Sequence, residues 1–233
     1  NALTRAMSKN GWLLMIVATV AAFSTYSAMY GFRKPFAATG YDNFPTIMGL
    51  SFKSFIVISQ VLGYTLSKFV GIKVVSEMGK NRRAIAIVGI VLVAELALFG
   101  FGAAPIKLKP LFMFLNGIPL GMVWGLVFSY LEGRKFTEIM GVGLCASFIF
   151  ASGFAKTVGK WIETELITAN ISIAWMPFLS GLVYLVPLIF FVWLLNQVPE
   201  PNAEDIALRT KREPMNGAQR MAFFKAFAPG LVL

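Results

Sequence analysis

Residues 11–32 read GWLLMIVATVAAFSTYSAMYGF, a run of 22 residues without a charged side chain. A helix of this length spans about 33 Å, which matches the ~30 Å hydrocarbon core of a bilayer. Five further apolar runs follow it, so the sequence predicts an all-α membrane protein with six transmembrane helices. The six runs occupy residues 11–31, 54–75, 84–102, 110–131, 139–161 and 173–196.

The composition supports the membrane class and excludes several kinds of site. Of the 233 residues 57% are hydrophobic and 14% are charged, and the mean hydropathy is +0.71. The chain has no histidine, which excludes histidine-based catalysis and histidine metal ligands. Its single cysteine, Cys145, excludes a disulfide within the chain. No Walker-type loop is present, so we expect no ATP-driven chemistry, no cofactor and no metal.

The chain has a net charge of +10, and its positive residues are distributed according to the predicted topology. With the N-terminus in the cytoplasm, twelve Lys and Arg residues fall in cytoplasmic segments and five at external helix ends and loops, which satisfies the positive-inside rule. The cations therefore indicate orientation, and we expect no nucleic-acid partner. We expect an integral membrane protein of a bacterial inner membrane. Its predicted partner is the lipid bilayer.

The charged segment after the sixth run divides the chain. Residues 1–196 are predicted to form a six-helix bundle, residues 197–222 a cytoplasmic linker with a short helix at 203–211, and residues 223–233 the start of a seventh helix. Six spans, a linker and a new span are typical of one half of a twelve-span transporter, built from two inverted three-helix repeats. This layout predicts a C-terminal half of which residues 223–233 are the start.

Cations and tyrosines share helix faces in the first two runs. Tyr26, Tyr30 and Arg33 follow the spacing i, i+4, i+7, and Tyr64 and Lys68 the spacing i, i+4. Two neighbouring antiparallel helices would present two cations and several hydroxyls to one space. A guanidinium binds carboxylate or phosphate oxygens in pairs, and an ammonium adds a point charge. The pattern therefore predicts a site for a compact anion.

A second interpretation needs no ligand. If the first helix ends near Tyr30, then Arg33 and Lys34 lie at the external interface as anchors, with Tyr26 and Tyr30 in an aromatic belt. Lys68 would then extend its ammonium toward the cytoplasmic interface. Both interpretations remain open at the level of the sequence.

Two strings resemble the organophosphate:phosphate antiporters of the major facilitator superfamily. They are YSAMYGFRKPF at residues 26–36, similar to the first helix of that family, and YTLSKF at residues 64–69, similar to its second. The resemblance implies a six-helix half and secondary transport of a small organic or phosphorylated anion by alternating access. The family has a cavity histidine in its fifth span, whereas here Phe150 falls near that position. The resemblance implies substrate binding by Arg33 and Lys68, supported by Tyr26, Tyr30 and Tyr64, with Lys34 nearby.

The loop after the second run is similar to the superfamily's gating motif. It reads GIKVVSEMGKNRR at residues 71–83, with Gly79 and the basic pair Arg82 and Arg83 in place. Glu77 stands near the motif's acidic residue and is predicted to take part in gating.

Glu95 is the carboxylate deepest in an apolar run, and either proton coupling or a packing hydrogen bond would explain it. Two other functions stay open beside transport: a membrane receptor for an anionic solute, and a membrane-embedded enzyme. We expect no enzyme, because the carboxylates lie mostly in loops and form no acid/base cluster.

Overall fold

The computed structural model describes residues 2–167, 171–202, 205 and 216–232. Regular secondary structure in this part is helical, apart from an isolated bridge between Ile47 and Leu50, as the all-α prediction requires. The α-helices are α1 (Ala2–Lys9), α2 (Gly11–Met29), α3 (Phe52–Glu77), α4 (Lys80–Ala103), α5 (Lys109–Phe128), α6 (Thr137–Glu165), α7 (Met176–Asn196) and α8 (Gly217–Val232), and the 3₁₀ helices are Tyr30–Phe32, Pro35–Ala38, Ile106–Leu108 and Ile173–Trp175.

Five helical segments of the described part are long and apolar enough to cross a bilayer. They make the protein an integral membrane protein by length and composition. Helix α3 has 26 residues, about 39 Å, and coincides with the predicted run 54–75; it is a proposed sixth span below. The five segments are Gly11–Phe32, Arg82–Ala103, Ile106–Phe128, Thr137–Glu165 and Ile173–Asn196.

The chain divides into two units, residues 1–132 with 136–200 and residues 133–135 with 201–233. The first unit contains α1 to α7 and all the predicted binding residues. In it, α2 packs against α6 and α7, α3 packs against α5, and α4 packs against α5 and α7.

Glycines bring α3 and α5 into close contact. A Cβ added to Gly63 would collide with the Phe114 carbonyl oxygen, and one added to Gly117 would collide with that of Gln60. Small residues let transmembrane helices approach at backbone distance. This contact fixes the face of α3 that carries Tyr64 and Lys68.

Helix α2 begins at a side-chain cap and ends in tighter turns. The Asn10 side chain accepts hydrogen bonds from the backbone N–H groups of Trp12 and Leu13, at 3.0 and 3.2 Å. The α-helix ends at Met29, and the chain continues through the 3₁₀ turns around Arg33 and Lys34. Pro35 lacks an N–H and cannot extend an α-helical ladder. The first helix therefore does not continue as an α-helix through PFAATG at residues 35–40.

In the second unit, α8 begins six residues before the predicted start at Phe223. The Asn216 side chain accepts from the Gln219 N–H at 2.9 Å, and the Gln219 side chain accepts from the Asn216 N–H at 2.8 Å. This reciprocal capping box starts the helix at Gly217, so the predicted linker 197–222 is shorter at its end. The predicted short helix at 203–211 lies outside the described residues, except for Asp205.

Candidate functional site

The two predicted cations from different helices meet over one tyrosine ring. The Arg33 guanidinium carbon lies 3.9 Å from the centre of the Tyr64 ring, and the Lys68 ammonium nitrogen lies 4.9 Å from the same centre. Both distances are within the range of a cation–π interaction, which attracts a cation to an aromatic face. The ring thus holds together two positive charges that would otherwise repel each other.

Neither cation is neutralised by an acidic side chain of the described part. The ion pair found there joins Lys160 and Glu163 at 3.0 Å, far along the chain from both cations. The Arg33 Nε–H is buried and has no hydrogen-bond partner. Lys68 is exposed in the isolated bundle and interacts with the Tyr64 hydroxyl. The pair has the positive charge and free donors that an incoming anion would use.

The position of Arg33 along α3 bears on the anchor interpretation. Its carbonyl oxygen accepts a hydrogen bond from Gln60 Nε2 at 3.1 Å, and Gln60 is eight residues, about 12 Å, from the start of α3 at Phe52. Its guanidinium lies over Tyr64, about 18 Å from that start. Arg33 therefore lies alongside the middle of α3 and not at its outer end.

A buried amide network holds the backbone of Arg33 in this position. Gln60 Nε2 also donates to Asn116 Oδ1 at 2.7 Å, and Asn116 Nδ2 donates to the carbonyl oxygens of Phe32, at 3.2 Å, and Ala94, at 3.0 Å. The Gln60 and Asn116 side chains are 4% and 0% exposed. The network connects α3, α4 and α5 to the 3₁₀ turn that follows α2. Asn116 thus forms hydrogen bonds to α3, to α4 and to the turn after α2.

The predicted tyrosines form one aromatic cluster on the α2 side of the cations. The Tyr26 and Tyr30 rings meet edge to face at 5.5 Å, the Arg33 guanidinium lies 5.7 Å from the Tyr30 ring, and the Tyr26 and Tyr64 hydroxyls interact. Helix α6 contributes Phe148, whose ring packs edge to face on Tyr26 at 5.2 Å. Tyr26, Tyr30 and Tyr64 thus come together as predicted.

The aromatic contact from α6 differs from the expected one. Phe150, near the family's histidine position, contacts Phe23 at 5.8 Å and stacks on Phe154 at 5.2 Å. Phe148 and Phe150 both pack against α2, but on different residues, Tyr26 and Phe23 respectively. Phe148 is therefore the α6 residue that faces the tyrosine cluster.

Lys34 contacts a different part of the molecule. The turn that follows it packs on α6, where a Cβ added to Gly159 would lie 2.9 Å from the Pro35 Cβ. Burial lowers the pKa of the half-buried Lys34 ammonium, and the charges of Arg33 and Lys156 lower it further. Lys34 therefore adds to the positive charge near Arg33 from the α6 side and has no described contact with Tyr64.

The predicted gating residues differ in what they contact. Arg83 donates through Nε to the Met78 carbonyl at 3.2 Å and through Nη1 to the Ser129 carbonyl at 2.9 Å, which ties the α3–α4 loop to the end of α5. Arg82 is exposed. A Cβ at Gly79 would meet nothing within 4 Å, so packing does not require a glycine there. The Glu77 side chain lies outside the described part of the chain.

Glu95 lies apart from the cation cluster, at the contact between α4 and α7. Its side chain is 5% exposed, and neither carboxyl oxygen has a hydrogen-bond partner. A Cβ on Gly181 of α7 would collide with the carboxyl group, so this glycine makes room for it. The packing hydrogen bond considered from the sequence is not formed.

The residues that position Arg33 are not evident from the sequence. Gln60 and Asn116 together bind the backbone on which the guanidinium is mounted. The available signal was an amide in each of two apolar runs.

Across the described residues no group of three or more Cys, Asp or Glu side chains is arranged to hold a metal ion.

A family match covers most of the chain, at residues 35–233. The chain belongs to the family of unknown function DUF5690. No curated protein and no solved structure matches it. The DUF5690 match contains Tyr64, Lys68 and Glu95 and begins two residues after Arg33. It assigns no activity, so anion binding by these residues stays a prediction.

Proposed function

We propose that this protein is a secondary transporter of small organic or phosphorylated anions that works by alternating access. The observation that carries the proposal is the shared ring: a guanidinium after α2 and an ammonium from α3 lie on Tyr64 with no described carboxylate between them. An intramembrane cation is costly and in membrane proteins usually faces a cavity, a partner or an ion path. An anionic solute provides the missing counter-charge.

The proposed architecture is six spans, with α3 as the sixth, arranged as two inverted three-helix repeats and joined to a second half of the same kind. The resemblance of residues 26–36 and 64–69 to organophosphate:phosphate antiporters supports this arrangement. The N-terminus lies in the cytoplasm, and the membrane is a bacterial inner membrane. Substrate binding draws the two halves together, and exchange for phosphate or a proton gradient gives the transport its direction.

The chemical roles follow from the geometry of the cluster. Arg33 binds two oxygens of a phosphate or carboxylate through its fork of N–H donors, and Lys68 neutralises charge from the opposite helix. The Tyr64 hydroxyl, supported by that of Tyr26, donates to an oxygen that remains free. Because Gln60 holds the Arg33 carbonyl at 3.1 Å, the guanidinium is positioned before the anion arrives and little binding energy is lost in ordering it.

The decisive test is exchange in proteoliposomes that contain the full-length protein. Vesicles loaded with inorganic phosphate are mixed with labelled phosphate, and a panel of phosphate esters and carboxylates competes for uptake. We expect exchange by the wild type and a loss of about 100-fold in Arg33→Ala, because two charge-assisted hydrogen bonds disappear. Arg33→Lys should retain part of the activity, because the charge stays and the fork is lost.

Lys160→Ala serves as the matched control, because Lys160 is exposed and already paired with Glu163. Its exchange rate should equal that of the wild type. Binding of a panel anion without exchange would replace transport by the receptor function. If no anion of the panel binds, or if Arg33→Ala binds it as tightly as the wild type, the proposed site is wrong.

A further inference from the structure

The buried carboxyl of Glu95 carries an inference beyond anion binding. It lies eight residues, about 12 Å, from the end of α4 at Ala103, within one of the membrane-spanning segments. It is 5% exposed, has no hydrogen-bond partner and lies against Gly181. An ionised carboxylate without a partner in such a place costs many kcal/mol, so the group takes up a proton instead.

The titratable groups on the elements packed around α4 leave this conclusion unchanged. Among described residues, α5 has Lys109, whose ammonium donates to the carbonyls of Phe101 and Gly102, at least six residues along α4 from Glu95. The turn after α2 has Tyr30, whose ring faces Arg33, and the turn Ile173–Trp175 has none. Helix α7 has Tyr184, which lies against Gly31. None of them forms an ion pair or hydrogen bond with Glu95.

The backbone next to Glu95 is bonded to the network that holds Arg33. The carbonyl of Ala94 accepts from Asn116 Nδ2, which also donates to the Phe32 carbonyl, and Gln60 links Asn116 to the Arg33 carbonyl. A displacement of α4 at Glu95 therefore moves hydrogen-bonded neighbours of Arg33. This gives the carboxyl a physical connection to the cation cluster without direct contact.

We propose that Glu95 is a proton-binding site at the α4–α7 contact, protonated while these helices are packed and exchanging its proton with water when the contact opens. The step breaks and forms one O–H bond, and the proton comes from water on one side of the membrane and returns to water on the other. The role in coupling rests on the proposed transport function, whereas the protonated carboxyl does not.

Infrared difference spectroscopy tests the protonation directly on the full-length protein. We expect a neutral-carboxyl C=O band at neutral pH that shifts in D₂O, disappears in Glu95→Gln and remains in Glu138→Gln, whose carboxyl is exposed on α6. The wild-type band and its D₂O shift require no variant to fold, and Glu95→Leu provides a second replacement. If no band depends on Glu95, the carboxyl is ionised and the proposal is overturned.

Phosphate uptake into proteoliposomes under an imposed pH gradient tests the coupling. Glu95→Gln should exchange phosphate as the wild type does with equal pH on both sides, but should lose the additional accumulation that a gradient drives. The gradient also changes the protonation of phosphate itself, but this change is the same for the wild type and the variant and cancels when the two are compared. An unchanged response to the gradient in Glu95→Gln would overturn the coupling. Absence of exchange in the wild type would overturn the transport function and with it the coupling, while the infrared band would still decide the proton site.

Discussion

Two polar clusters lie one helical turn apart on α3 and differ in how their hydrogen-bonding groups are used. Around Gln60 and Asn116 the amides are buried and bonded to each other and to backbone carbonyls. Around Tyr64 the cations Arg33 and Lys68 lie on a ring, and the buried Arg33 Nε–H has no partner. The first cluster uses its donors within the protein, and the second keeps donors for something outside it.

Arg33 belongs to both clusters, through its backbone and its side chain respectively. A saturated buried network contributes to folding, because removal of one partner leaves others unsatisfied. An unsaturated cation pair contributes little to folding and much to ligand affinity. The comparison therefore predicts that substitutions in the amide cluster change stability, whereas substitutions in the cation cluster change anion binding.

The largest effect is expected at Gly117, where α5 touches the Gln60 carbonyl. In Gly117→Ala the added Cβ collides with a backbone oxygen, which cannot rotate away, so α3 and α5 must separate. We expect a loss of about 3 kcal/mol in the free energy of unfolding, at the upper end of overpacking costs. Denaturant unfolding of the detergent-solubilised protein measures it. Gly89→Ala is the control, because its Cβ would meet nothing within 4 Å, and it should be neutral or slightly stabilising. Equal stability of the two variants would contradict the close α3–α5 contact.

The next effect is expected at Asn116, the centre of the amide cluster. Asn116→Ala removes two donated bonds and one accepted bond, and we expect the free energy of unfolding to fall by about 2 kcal/mol. A double-mutant cycle with Gln60→Ala separates their mutual bond, with an expected coupling of about 1 kcal/mol. A cycle without coupling, or a stability equal to that of the wild type, would show that the network does not hold this region.

Much of this arrangement follows from the sequence by simple rules. The helices α2 to α7 follow from apolar runs of membrane length, and the contact between Tyr26 and Tyr30 follows from their i, i+4 spacing. The start of α8 was also readable, because Asn216 and Gln219 have the spacing of a capping box, but the apolar residues from Phe223 drew the predicted start later.

The remaining features depend on packing that spacing does not encode. A helical wheel cannot show that the chain after Met29 tightens into 3₁₀ turns, or that Gln60 then turns its amide toward the Arg33 carbonyl. The choice between Phe148 and Phe150 depended on the rotation of α6 against α2, which is fixed by contacts between helices. The absence of a partner for the Glu95 carboxyl could not be predicted either. It depends on which residue of α7 lies against it, and that residue, Gly181, is about 85 residues away in the sequence.

A binding effect without a stability effect is expected at Lys68. Lys68→Ala should lower the affinity of the full-length protein for its anion by about tenfold, the equivalent of about 1.4 kcal/mol, because one of two counter-charges disappears. The effect should shrink at high salt if the site is open to water. Lys53→Ala removes the same charge from the first turn of α3 and should leave affinity unchanged. Equal affinities of wild type and Lys68→Ala would favour the interpretation of Lys68 as an interface anchor, and a large loss of stability would place it with the amide cluster.

The smallest effect on anion affinity is expected for Tyr64→Phe, which keeps the aromatic ring and removes the hydroxyl. Tyr64→Phe retains the surface on which the Arg33 and Lys68 charges lie at 3.9 and 4.9 Å and removes one hydrogen-bond donor, so anion affinity should fall about threefold. Tyr64→Leu also removes the ring and should cost about tenfold, because the cation–π attraction that offsets the repulsion between the two charges is lost. Isothermal titration with the same anion compares the two variants. If both lose affinity equally, the hydroxyl and not the ring is the important group, and the two cations do not depend on Tyr64 to remain side by side.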